Sequence, residues 1–266
     1  MAQVTDWVFF LGGRDLEMLE IGLLVRGNLK RKAIVDKRLP WHAAKASAYR
    51  NEIAGALAAR RRPVLVELQP DLPPEILDRC VLVDHHGPLA GADRPTSLEQ
   101  VFALLGLPAT AWSRRMALVA ANDRGWIPEL RAAGAIPMEI AAIRAEDRAA
   151  QGVAPVDEAA AEAAIDAAET VLAGSLILIR LPHDRTSPVF DRLALSVAQG
   201  DLPDALVAGP TEFNFSGRGD RVQALAAAFP GGWYGGALPE RGFWGHGSPL
   251  PPLEAVLSAL QQAQRG

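Results

Sequence analysis

The sequence predicts an α/β protein: a parallel-sheet N-terminal domain followed by a smaller α/β C-terminal domain. Short apolar runs alternate with helical patterns over the first two-thirds of the chain, as β-α-β units do. A segment made almost wholly of helix formers then precedes a second set of short apolar runs and helical patterns. The length of 266 residues gives room for one large or two ordinary domains.

The elements follow in order. WVFFL (7–11) reads as a buried strand ending in Gly12-Gly13, and residues 14–26 as a helix with Leu16, Leu19, Leu23 and Leu24 near helical spacing. KAIVD (32–36) is a second strand candidate. Residues 43–61 are Ala-rich and helical, closing on Arg60-Arg61-Arg62 before Pro63. VLVEL (64–68) and CVLVD (80–84) are strands, separated by one short helix at 73–79. Helices are expected near 96–106 and 112–122. This first domain runs over 1–150. Residues 151–173, rich in DEAAAEAAIDAAET, read as a helical linker. The second domain, 174–266, opens on SLILIRL (175–181), followed by a helix near 188–199. ALVAG (205–209), TEFNFS (211–216) and a helix at 219–228 come next. Residues 229–249 read as a Gly- and aromatic-rich loop, and a last helix covers about 252–263.

Composition narrows the function. Hydrophobic residues at 49% and charged residues at 22% exclude a largely disordered chain. A formal charge of -4 argues against extensive contact with long duplex nucleic acid. Cys80 is the single cysteine, which leaves no internal disulfide and no cysteine-based zinc site, and its place in a strand favours a core role. The N-terminus lacks a basic stretch followed by an apolar run, and no apolar segment reaches the roughly 18 residues of a membrane helix. A cytoplasmic location without membrane contact is the expectation. An exposed sheet edge could support a homodimer.

Parallel sheets place their sites beyond the carboxyl ends of the strands. Strand one leads to Gly12, Gly13, Arg14 and Asp15; VLVEL carries Glu67; CVLVD ends on Asp84, followed by His85 and His86. Asp123, in AANDRGW, is a further acid. Carboxylates gathered this closely repel one another, and a divalent cation removes that cost. Oxygen ligands with one or two imidazoles suit Mn²⁺, Mg²⁺ or Fe²⁺ better than Zn²⁺. The alternative is a solvated loop in which Asp84 caps a turn.

VLVDHHGP resembles the signature of the DHH phosphoesterase superfamily. Glu67 stands where that family closes an earlier strand with Asp, and Asp123-Arg124-Gly125 matches its later Asp-x-Gly segment. Ser216-Gly217-Arg218, a helix and the pairs Gly231-Gly232 and Gly235-Gly236 resemble its associated C-terminal domain. The first motif diverges: LGGRDLEMLEIG has glycine where the family has His, leaving Asp15 and Glu17 as candidate ligands in an open register. His246 is the nearest histidine to the glycine loop.

The resemblance implies a divalent-metal-dependent phosphoesterase or phosphodiesterase acting on a small nucleotide or short oligonucleotide, with Mn²⁺ as the preferred ion. It implies Asp15, Glu67, Asp84, His85 and Asp123 as metal ligands, and Asp84 and His86 as catalytic residues. It further implies Ser216, Arg218, Gly235, Gly236 and His246 as phosphate- or substrate-binding residues. The altered first motif supports an alternative, a DHH-like protein that binds a nucleotide or phosphorylated small molecule without hydrolysing it.

Overall fold

The computed structural model describes residues 6–29, 33–86, 94–197 and 202–263. The chain divides into two compact units, Met1–Gly152 and Val153–Gly266.

The first unit opens with β1 (Trp7–Leu11), whose side chains are almost all buried, and α1 (Leu16–Asn28). There follow β2 (Ile34–Val35), two 3₁₀ turns at Trp41–Ala43 and Ala46–Tyr49, α2 (Arg50–Ala58) and β3 (Arg62–Val66). Next come α3 (Pro74–Leu77), β4 (Val81–Val83) and α4 (Ser97–Leu104). The unit closes with α5 (Arg114–Ala132) and α6 (Pro137–Ala150). The sheet has the order β2-β1-β3-β4, and every pairing is parallel. The near-continuous burial of β1 and β3 is what a sheet covered on both faces requires. One of those faces carries Phe10, Leu65, Tyr49, Ile53 and the buried Cys80.

The second unit contains α7 (Pro155–Asp166), β5 (Glu169–Val171), β6 (Leu176–Arg180), α8 (Ser187–Leu195), β7 (Ala205–Ala208) and β8 (Phe213–Arg218). It ends with α9 (Gly219–Ala228), β9 (Trp233–Gly235), β10 (Arg241–His246) and α10 (Leu253–Ala263). Its sheet has the order β5-β6-β7-β8-β10-β9; only β6–β7 is parallel.

Several expectations shift in detail. VLVEL is a strand only to Val66, so Glu67 stands just beyond its end. The start of the 43–61 helix is 3₁₀, and α6 was not foreseen. Residues 151–173 hold α7 and then β5, which pairs with β6, and both elements lie in the second unit. The expected loop 229–249 contains two strands. There aromatic residues face glycines across the pair, Trp233 against Gly245 and Phe243 against Gly235. Gly87 and Pro88 of the VLVDHHGP segment lie outside the described residues. Among the described residues, no helix is long and apolar enough to cross a membrane.

Candidate metal centre

The centre lies at the carboxyl ends of β1, β3 and β4, where parallel topology gathers the chain's acids. β4 ends at Val83, and Asp84, His85 and His86 follow directly. Glu67 follows β3 with φ at +49°, a left-handed backbone rarely taken by a residue with a Cβ. Such strain concentrates at functional sites; here its backbone N–H still donates to Val83 O at 2.8 Å. Asp123 comes from α5, which breaks immediately afterwards at Gly125 and Trp126.

Glu67, His85, His86 and Asp123 each offer one ligand atom, and these atoms all lie within 4.8 Å of one another. His85 is the hub. Its Nε2 contacts Asp123 Oδ2 and stands 3.4 Å from Glu67 Oε1 and 3.9 Å from Glu17 Oε2. Both oxygens of Glu67, Oε2 of Glu17, Oδ2 of Asp123 and Nε2 of His85 are buried without a hydrogen bond of acceptable geometry. Buried polar atoms are normally satisfied, so five orphans in one place require an explanation.

The protonation pattern reflects this crowding. Burial, reinforced by Glu67, pushes Asp15 well above the usual carboxylate range. Burial, then Asp123 and Glu67, does the same to Glu17. Burial opposes charge on His85, but the carboxylates of Asp123 and Glu67 outweigh it and raise the imidazole to about 10. His86 is raised chiefly by its hydrogen bond with Asp84. Asp84 is partly desolvated, yet its bonds to His86 hold it below its ordinary value. Asp84 Oδ1 accepts the His86 backbone N–H at 2.8 Å and lies 3.4 Å from His86 Nδ1.

The candidates are therefore used differently. Glu67, His85, His86 and Asp123 form the tight group; Asp84 braces His86 from the side. Asp15 caps α1, its Oδ1 accepting Met18 N–H at 2.7 Å. Glu17, two residues on, sends Oε1 to Leu98 N–H at 2.8 Å and leaves Oε2 toward His85. The division follows from where α1 begins, since an Asp directly before the first helical residue is a helix cap.

The divergent first motif has a steric basis. A Cβ on Gly12 would collide with the backbone carbonyl of Glu67 and approach that of Val66 to 2.8 Å. A Cβ on Gly13 would run into the fused-ring carbons of Trp41, with Cε2 and Cε3 at 2.5 Å. Trp41 had no sequence link to the acids, because its approach depends on the fold.

In the second unit, Ser216, Phe243 and Gly235 form one row across β8, β10 and β9. Arg218 lies at the end of β8, 3.6 Å from Asp204 and 3.3 Å from Asp220. Gly236 directly follows β9, and His246, closing β10, has Nδ1 2.7 Å from Gly247 O.

Similarity to known proteins rests on structure. No family model matches the sequence, and no curated protein matches it. The structure is similar to RecJ from Thermus thermophilus, solved in complex with Mn²⁺, at 15% identity and a TM-score of 0.51. That match covers 97% of this chain and 52% of RecJ, so the chain spans about half of RecJ's length. The fold is DHH-type. A weaker likeness, with a TM-score of 0.43 and 13% identity, connects it to an exopolyphosphatase-related protein from Bacteroides fragilis, covering 98% of this chain and 92% of that one.

Proposed function

We propose that the protein is a divalent-metal-dependent phosphoesterase of the DHH superfamily acting on a small nucleotide or short oligonucleotide. The observation that carries this reading is the set of five buried ligand atoms on Glu17, Glu67, His85 and Asp123 that lack a hydrogen bond of acceptable geometry. Carboxylate oxygens around imidazole nitrogen suit Mn²⁺, Mg²⁺ or Fe²⁺, and RecJ, which shares the fold, was solved with Mn²⁺. Glu67, His85 and Asp123 would hold the ion, with Glu17 behind them. A bound divalent ion supplies Lewis-acid polarisation of a phosphoryl oxygen and a lowered pKa for water.

The remaining residues position and charge the site. Asp84 orients His86 through two contacts and keeps it protonated further up the pH scale. His86, half exposed beside the buried group, is placed to pair with a phosphate oxygen and hold a proton there. Burial of Glu67 and His85 keeps bulk water from competing for the ligand atoms. In the second unit, Ser216, Arg218, Gly235, Gly236 and His246 are the proposed phosphate- or substrate-binding residues. We place the protein in the cytoplasm on the same reading.

The test is metal content by elemental analysis, paired with hydrolysis of a chromogenic phosphodiester and a small nucleotide panel under Mn²⁺, Mg²⁺ and Fe²⁺. Stoichiometric metal with turnover that Asp84→Asn removes is the expected result. Bound metal and bound nucleotide without turnover on any substrate would favour the non-hydrolysing alternative. No metal in any condition would overturn the reading of the centre.

A further inference from the structure

Trp41 sits on the rim of the metal centre and plays no part in holding it. The carbons nearest to a Cβ on Gly13 are Cδ2, Cε2 and Cε3, the two ring-fusion atoms and a neighbouring carbon of the six-membered ring. A fusion atom is ringed by bonded neighbours in its own plane, so close approach to it comes from above the ring. Gly13 therefore lies under one face of the indole, and only a residue without a side chain allows that seat. The 3₁₀ turn Trp41–Ala43 and the bridge between Gly13 and Leu39 fix the backbone on both sides of the contact. The ring stands 5.9 Å from that of His86, tilted by 60°, yet Trp41 remains 44% exposed. An apolar ring of this size is normally buried when it only fills space.

We propose that Trp41 is a specificity-determining residue: its outward face stacks on the nucleobase of the ligand whose phosphate is held beside His86. This rests on the phosphoesterase reading of the centre. The arrangement supplies what base recognition without sequence preference needs, a rigid π-face next to a phosphate position. It also gives the double glycine a role, since a ligating side chain at 13 and an indole seated on 13 exclude each other.

The test is calorimetric binding of AMP and of inorganic phosphate to the full Mn²⁺-loaded chain, with Trp41→Ala, Trp41→Leu and Trp41→Phe. Wild type should bind AMP more tightly than phosphate. Trp41→Ala and Trp41→Leu should weaken AMP by roughly tenfold or more, the scale of one lost base stack, and leave phosphate unchanged. Trp41→Phe should recover most of the AMP affinity. Trp41→Leu still covers Gly13, so a loss shared by Leu and Ala but not Phe marks stacking and not cover. Equal affinity for AMP and phosphate in wild type would overturn the assignment. So would AMP binding that Leu preserves, or a loss of phosphate binding in step with AMP. Mn²⁺-loaded protein that binds no phosphate at all overturns the reading of the centre itself, a result distinct from each of these.

Discussion

The two units each bury a cluster of ionisable side chains, and they balance it in opposite ways. In the second unit Asp204 is buried among arginines. Arg221, itself fully buried, donates to Asp204 Oδ2 at 2.8 Å; Arg218 lies at 3.6 Å and Arg241 at 3.8 Å. The Arg218 backbone N–H adds a bond to Asp204 Oδ1 at 2.9 Å. In the first unit Glu17, Glu67 and Asp123 surround one buried imidazole, with Asp15 adding its field. Arg124, next to Asp123, is spent on Glu99 at 2.7 Å. A buried charge cluster that closes on itself is scaffold. One left short of positive charge must bind a cation, protonate or lose stability.

Removing ligands should break this contrast most strongly. Glu67→Gln or Asp123→Asn should cost more metal affinity and metal-dependent turnover than the roughly 10–100-fold typical of groups that only support ligands. Elemental analysis after dialysis and phosphodiester hydrolysis would measure it. Retention of both metal and turnover would show that the cluster is not the centre. Arg221→Leu should act on stability alone. It strips Asp204 of its buried partner, at a cost of about 3–5 kcal/mol in denaturant unfolding, while metal content per folded chain stays at the wild-type level. A small change would mean that Arg218 and Arg241 suffice to balance Asp204.

Glu17→Gln sharpens the contrast from the other side. It removes a carboxylate that is unfavourable without metal and helpful with it. The metal-free chain should gain on the order of 1 kcal/mol, the usual size of a stabilising substitution, and Mn²⁺ affinity should fall about 10–100-fold. Thermal melts with and without chelator, together with a metal titration, would read both. Destabilisation of the metal-free protein would mean that the bond from Leu98 N–H to Glu17 outweighs the repulsion.

Sequence patterning made the parallel sheet and the strand-end location of the acids legible, because period and burial are local properties. VLVDHH pointed to His85 and His86 directly. Which acid of the first motif turns inward was not legible. Asp15 and Glu17 sit two residues apart, and only the start of α1 decides that one caps and the other reaches His85. Trp41 was invisible for a related reason: its contact with Gly13 spans 28 positions of sequence and depends on strand order. Residues 229–249 were misread as a loop because glycine and aromatic residues signal turns locally, whereas across β9 and β10 they pair ring against glycine.

The pH dependence separates the two clusters most finely. Asp15 and Glu17 are raised in the folded chain by burial, so the folded state holds more protons than the unfolded state from about pH 4, the unfolded carboxylate range, up to their raised folded values. Their contribution therefore becomes unfavourable as pH climbs from there. His85, raised to about 10 by Asp123 and Glu67 against the opposing effect of burial, contributes stability that is intact below its unfolded value near 6.5. That share is lost as pH rises through about 10. All three slopes have the same sign by linkage. Stability of the chelated protein should fall from about pH 6.5 to 8.5, and the stabilisation by Mn²⁺ should widen over the same window, because the ion replaces the proton on His85. Glu17→Gln should flatten the metal-free slope, and Arg221→Leu should shift the curve without changing it. A metal-induced rise in Tm that stays constant with pH would show that Mn²⁺ displaces no proton from this cluster.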